Sequence, residues 1–368
     1  MVEWKKLGDL CEIGTGSNNR EDACENGSYP FFVRSKEVLR INTYLFDEEA
    51  ILIPGEGGVG EIFHYIKGKY GLHQRTYRVH PKSNDVIGKF IYYYLFENFG
   101  QYINRKSFKS TATSIRKPML IDFLIPIPSL SEQNRIVGIL DTFTDSIENL
   151  KQQIAQRRKQ FEFYRDQLLD LEGKEGVEMK TLGEIGKCMA GATPSTKKIE
   201  YWENGTISWM SSGEVHQGVV THTASFITQK GYDNASTKML PIGTVVIALA
   251  GQGKTRGTVA ITAIELCTNQ SLCGVVIENE DILNKYVYYY LKTRYNDLRR
   301  ISSGDGTRGG LNLKMIGTYP IPLPPLSEQS RIVSILDTFE ASITNLEAQL
   351  AQRQKQYEYY RNQLLTFE

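Results

Sequence analysis

Pro126-Ile-Pro-Ser-Leu-Ser-Glu-Gln-Asn-Arg-Ile-Val-Gly-Ile-Leu-Asp-Thr-Phe143 returns 196 positions later as Pro322-Leu-Pro-Pro-Leu-Ser-Glu-Gln-Ser-Arg-Ile-Val-Ser-Ile-Leu-Asp-Thr-Phe339. Extended without gaps to Leu169 and Leu365, the copies agree at about 30 of some 44 positions, so the chain carries an internal duplication. Weaker matches run backwards in the same register: Tyr92-Tyr93-Tyr94-Leu95 meets Tyr288-Tyr289-Tyr290-Leu291, Gln74 meets Gln270, and Gly55-Glu56-Gly57 meets Gly251-Gln252-Gly253. Near each start, Lys6-Leu7-Gly8-Asp9 resembles Thr181-Leu182-Gly183-Glu184 at a shorter offset, leaving about 21 extra residues in the second half between Gly16 and Ala248. The order is variable, constant, variable, constant.

Each constant segment reads as one long helix. Ser129 and Glu132 suit a capping box ahead of the first apolar run, and Pro325 suits the first turn of the second. Leu140, Phe143, Ile147, Leu150, Ile154, Arg157, Phe161, Tyr164, Leu168 and Leu171 fall on alternating three- and four-residue steps, the pattern of a coiled-coil seam. Leu336, Phe339, Ile343, Leu346, Leu350, Arg353, Tyr357, Tyr360, Leu364 and Phe367 repeat it. The simplest burial sets one seam against the other, antiparallel, with a pseudo-two-fold relation between the copies. About 40 residues then make a rod of roughly 60 Å. Arg157 and Arg353 fall on the seam, as register setters or as partner contacts.

A length of 368 residues implies two or three folding units. No apolar run approaches the roughly 20 residues of a membrane span, and Met1-Val2-Glu3-Trp4-Lys5-Lys6 lacks a secretory apolar stretch, so a cytoplasmic protein is expected. Cys11, Cys24, Cys188, Cys267 and Cys273 form no C-x-x-C pair, which argues against a disulfide framework or zinc ribbon. The net charge of +1 is low for a protein that alone grips many phosphates; positive charge for nucleic acid must be local or supplied by a partner. Both variable segments mix short β-like runs, such as Thr244-Val-Val-Ile-Ala-Leu249, with turn glycines and Tyr-rich helices at 88–99 and 284–299, an α+β class.

The proline-led Pro-x-Leu-x-Glu-Gln-x-x-Ile helix starts at 128–136 and 324–332, with Gly191-Ala-Thr-Pro-Ser195 and Tyr201-Trp202, resemble the specificity subunits of type I restriction–modification systems over essentially the whole chain. The resemblance implies two target-recognition domains, at 1–128 and 178–324, each reading half of a split site. Spacer helices at 129–172 and 325–368, with a linker at 173–177, set the spacing. It also implies double-stranded DNA as ligand and two methyltransferase subunits docked at Leu130, Glu132, Gln133 and Ile136 and at Leu326, Glu328, Gln329 and Ile332. The resemblance further implies that restriction subunits join them and that S-adenosylmethionine and ATP are expected only on partner subunits, so this chain is expected to need no cofactor and to meet no membrane. In the first domain Gly14-Thr-Gly-Ser17-Asn18-Asn19-Arg20 replaces the Thr193-Pro-Ser195 turn and its Lys197.

Reading DNA takes cations for phosphates and polar side chains for base edges. Tyr102–Lys117 fits, with Arg105, Lys106, Lys109, Arg116 and Lys117, no acid, and Ser107, Ser110, Thr111 and Thr113 interleaved; the alternative is a solvated loop. Its counterpart carries Ser303, Thr307 and Arg308. Gln74 beside Arg75, and Gln270 beside Asn269, are candidate adenine readers or else buried amides satisfying backbone groups. Arg34-Ser35-Lys36 and Ser211-Ser212 read as loop tips, Trp209 as core, and Gln252, Lys254 and Arg256 as a glycine-loop approach to DNA.

Ala248–Thr255 fits a permissive phosphate-loop pattern, but Arg256-Gly-Thr-Val-Ala-Ile-Thr262 reads as extended where such a loop opens into a helix. Leu323-Pro-Pro-Leu326 lacks the Asn or Asp and the aromatic of an adenine methyltransferase, Glu172-Gly-Lys174 lies in the linker, and no paired His motif or G-x-S-x-G elbow occurs. A non-catalytic DNA-reading subunit is therefore expected, the alternative being a coiled-coil scaffold that spaces two protein-binding domains.

Overall fold

The computed structural model describes residues 2–58, 60–106, 114–251, 254–302 and 310–367, and divides into two compact units: Met1–Gln153 with Leu346–Glu368, and Ile154–Asn345. Both are mixed α and β.

In the first unit, strands Phe46–Pro54, His64–Leu72 and Thr76–Pro81 form the antiparallel centre of a six-stranded sheet. Cys11–Thr15 flanks Thr76–Pro81; on the other side Tyr29–Phe32, parallel to His64–Leu72, carries Val38–Ile41. The run Ala50-Ile51-Leu52-Ile53 is apolar throughout because both its faces are covered. Ile51 and Ile53 share a core with Phe90, Ile91, Tyr94 and Leu95 of the helix Gly88–Lys106, while Ala50 and Leu52 pack with Phe32, Tyr70 and Leu72 opposite.

The second unit repeats the plan. Lys187–Ala190, Leu272–Val276, Val245–Ala248, Val259–Thr262 and Val219–Val220 make a five-stranded sheet in that order. Val245, Ile247 and Val275 face the helix Asn284–Thr293, and Val246, Ala248 and Leu272 face Met210, Val215 and Leu240. The Tyr-rich stretch is two helices here, Asn284–Thr293 and Tyr295–Ile301. The extra residues fall between Ile207–Met210 and Val245–Ala248, where Ser212–Gln217 forms a 3-10 turn and Ser225–Ile227 joins Ile207–Met210 and Cys267–Thr268 in a separate sheet.

The repeated segments are the continuous helices Leu130–Leu169 and Leu326–Leu364. Only half of the expected capping box forms. Glu132 N–H donates to Ser129 Oγ at 3.3 Å, but the Glu132 carboxylate turns to Arg135 at 2.7 and 2.8 Å. Pro325 stands immediately before Leu326, its carbonyl accepting from Gln329 N–H at 3.0 Å.

Within the first unit Phe143 stacks on Tyr360, ring centroids 5.4 Å apart, with the Arg353 guanidinium 5.6 Å from the Phe143 ring. Within the second, Phe339 stacks on Tyr164 at 5.6 Å with Arg157 at 5.7 Å. Each contact joins the early part of one long helix to the late part of the other, so the pairing is antiparallel and its two halves are equivalent. Arg157 and Arg353 are half-buried cations lying on aromatic faces rather than charges sunk in the seam, an arrangement worth about 0.5–1 kcal/mol each at such sites. Among the described residues no helix is long and apolar enough to cross a membrane, and no His, Cys, Asp or Glu cluster suits a metal.

Candidate functional site

In the first unit the loops singled out from the sequence converge. Gly16 runs against the Leu72 carbonyl so closely that a Cβ would lie 1.8 Å from that oxygen; only glycine lets residues 17–20 cross there. Asn18 N–H donates to Leu72 O at 3.2 Å, and the Asn18 carbonyl accepts from Gln74 N–H at 3.0 Å. The turn 73–75 is held by the buried His73 ring, whose Nδ1 accepts Arg75 N–H at 3.0 Å. Burial, with Arg34 and Arg75 close by, keeps the His73 imidazole below its usual pKa, hence neutral and able to accept.

Gln74 stands exposed at the tip of this turn, its Nε2 donating to Asn19 Oδ1 at 2.7 Å. The buried-amide alternative therefore fails. Beside it Glu56 accepts from Arg34 at 2.9 Å and Arg75 at 3.0 Å, and these guanidinium groups, Arg75 foremost, hold the Glu56 carboxyl below the usual carboxylate range. Glu56 bridges to Ser114, and Ile115 N–H donates to Gly55 O at 2.7 Å, which ties the backbone beside exposed Arg116 into the cluster. Arg20, Arg34, Ser35, Glu56 and His73 line a pocket of about 210 Å³. Ser17 and Lys36 are exposed nearby in sequence, and Arg105 is exposed near the end of the helix that closes with Lys106. Ser107, Lys109, Ser110, Thr111 and Thr113 lie outside the described residues.

The second unit builds the same arrangement from other residues. A Cβ on Gly191 would lie 1.8 Å from the Thr268 carbonyl oxygen, and Ala192 N–H donates to that oxygen at 2.9 Å. Asn269 replaces the His73 ring, its Oδ1 accepting Ser271 N–H at 3.0 Å. Gln270 is exposed and accepts from Thr193 Oγ1 at 2.6 Å. The indoles of Trp209 and Trp202 donate to the carbonyls of Ala192 and Ser195 at 3.0 and 3.2 Å, pinning the Gly-Ala-Thr-Pro-Ser loop and leaving Ser195 and Lys197 exposed. Trp209 is core, as read from the sequence.

Two expected contacts in this unit are corrected. Ser211 is not a free loop tip: its N–H and hydroxyl both donate to buried Glu214, at 2.7 and 2.9 Å, capping the turn that Ser212 opens. Arg256 is 6% exposed and faces the interior, so it offers no surface to DNA. Lys254 is exposed, and a turn and the strand Val259–Thr262 follow it where a phosphate loop needs a helix. Gln252, Ser303, Thr307 and Arg308 lie outside the described residues. The clamp role of Glu56 was missed; its flanking glycines were the available signal.

One loop arrangement thus occurs twice, on two like sheets. Residues 1–157 and 174–354 each match the type I restriction modification DNA specificity domain family. The chain belongs to this family. It is 37% identical over 301 residues to a type I restriction enzyme specificity subunit of Escherichia coli, covering 77% of this chain and 72% of that subunit. The EcoDI specificity subunit of Escherichia coli is 25% identical over 377 residues, covering 95% of this chain and 84% of the relative. The crystal structure of a type I restriction–modification S subunit from M. genitalium superposes with a TM-score of 0.69 at 18% identity, over 100% of this chain and 97% of that one.

In this member of the specificity family the proline-led motif works inward, which corrects half of the expected partner contacts. Gln133 is fully buried: its Oε1 accepts Ile87 N–H at 2.8 Å and its Nε2 donates to Pro128 O at 2.9 Å. Gln329 does the same for Leu283 N–H and Pro324 O, each at 2.9 Å. Ile136 and Ile332 are core residues. None of these four is available to another chain. Leu130 and Leu326 remain exposed, and Glu132 and Glu328 are solvent-facing partners of Arg135 and Arg331. Exposed Phe163 and Tyr359, equivalent positions off the seam, were not singled out from sequence.

Proposed function

We propose that this chain is the DNA sequence-recognition subunit of a type I restriction–modification complex, each unit reading one half of a split double-stranded target through its loop cluster. The observation that carries this is the doubled cluster itself: a glycine-tight loop, a side-chain-stabilised turn and an exposed glutamine recur at equivalent places, while the side chains around them differ, His73 and Asn19 in one unit against Asn269 and Thr193 in the other. Repetition of a geometry with substitution of its residues is what two half-sites of different sequence require.

Two methyltransferase subunits dock on the helices. Leu130, Tyr359 and Tyr360 in one unit and Leu326, Phe163 and Tyr164 in the other are equivalent exposed apolar sets, as two copies of one partner would need. Restriction subunits join the same cytoplasmic assembly. This chain is non-catalytic and holds no cofactor; S-adenosylmethionine and ATP act on the partners. The net charge of +1 fits a subunit whose partners supply much of the phosphate contact.

The test is a map of N6-methyladenine in DNA from cells expressing the chain with its cognate methyltransferase subunit, against cells lacking it. A split motif with a fixed unread gap is expected. Unchanged methylation in a verified soluble complex would transfer support to the scaffold reading.

A further inference from the structure

Gln74 and Gln270 hold one position in two units whose neighbouring residues differ: His73 against Asn269, Arg75 against Ser271, Asn19 against Thr193. Gln133 and Gln329 show what a structural glutamine looks like here, buried and bonded to backbone. Gln74 and Gln270 are instead exposed at a turn tip, and each amide bonds a side chain of the adjoining loop, at 2.7 and 2.6 Å.

A carboxamide has two N–H donors and an oxygen with two lone pairs. Gln74 gives one donor to Asn19, and Gln270 uses one lone pair for Thr193. Each amide therefore keeps a donor and an acceptor side by side. Adenine offers the complement in the major groove, an N6 donor next to the N7 acceptor. The loop bond also restricts the side chain before DNA arrives, which reduces the ordering cost of binding. Resting on the DNA-reading role proposed above, we infer that Gln74 and Gln270 each read one adenine, one in each half-site, and that Asn19 and Thr193 position them.

The experiment uses the full chain with its cognate methyltransferase subunit and scores methylation across a randomised DNA library. Gln74→Ala lowers the preference for one A·T pair in one half by about 10- to 100-fold and leaves the other half intact; Gln270→Ala does the reverse. Gln74→Glu keeps the shape but has no donor for N7, so it loses the same preference at the same position. Asn19→Ala and Thr193→Ala give smaller losses at those positions. Thermal melting of the Gln74 and Gln270 variants matches the parent, since those side chains are exposed. An unchanged motif in Gln74→Ala, or a uniform drop at every site without a change in base preference, overturns the inference. A parent complex that yields no split motif overturns the DNA-reading role instead.

Discussion

Gln133 and Gln74 are the same residue type put to opposite uses, and burial separates them. Gln133→Ala strands the Ile87 N–H and the Pro128 carbonyl in the interior, so a loss of about 1–3 kcal/mol is expected in denaturant unfolding. Arg135→Ala, which breaks only the exposed pair with Glu132, should cost less than about 1 kcal/mol. The inward role was legible after all: Gln133, Ile136 and Leu140 lie on one three- and four-step stripe, and a glutamine on that stripe faces the core. Gln74 carried no such sign, because exposure at a turn tip depends on His73, Leu72 and Gly16, whose meeting is set by strand pairing. The Glu56 clamp depends on the same convergence of loops distant in sequence.

At the scale of elements, the long helices were the most legible part of the molecule, since a seam of ten positions leaves no strand reading open. What periodicity could not give was the aromatic bed under Arg157 and Arg353, which requires knowing that Phe339 and Phe143 come from the opposite helix. On the proposed reading, helix length is the ruler for the unread gap. Inserting one heptad into both helices keeps each seam in phase and lengthens each helix by about 10 Å, so the gap in the methylation motif should widen by about three base pairs. An unchanged gap would mean that something else measures the spacing. The extra residues of the second half were countable in advance, but their division between the five-stranded sheet and a separate small one was not, because strands as short as Val219–Val220 and Ser225–Ile227 carry almost no periodic signal.

For the whole molecule, the linear order of variable and constant segments was readable, whereas the composition of the compact units was not: each contains parts of both long helices. Tyr93 O–H donates to Asp141 at 2.6 Å and Lys89 pairs with it at 2.8 Å; Tyr289 and Lys285 do the same with Asp337, each at 2.7 Å. Exchange of residues 1–125 for the corresponding segment of another specificity subunit should therefore change one half-site only, provided the incoming segment supplies the Tyr and Lys that meet Asp141. Methylation mapping of the hybrid decides this, and a change in both halves would contradict it. A further consequence concerns synthesis. Leu365, 2% exposed, completes the core of the first unit, with Phe367 packed against it. That core stays open while the ribosome makes the second unit, whose residues are contiguous, so the domain translated first is finished last. A chain abandoned inside its final helix would present an unfinished hydrophobic interior to proteases, and the cell would thereby discard incomplete readers before they could be assembled.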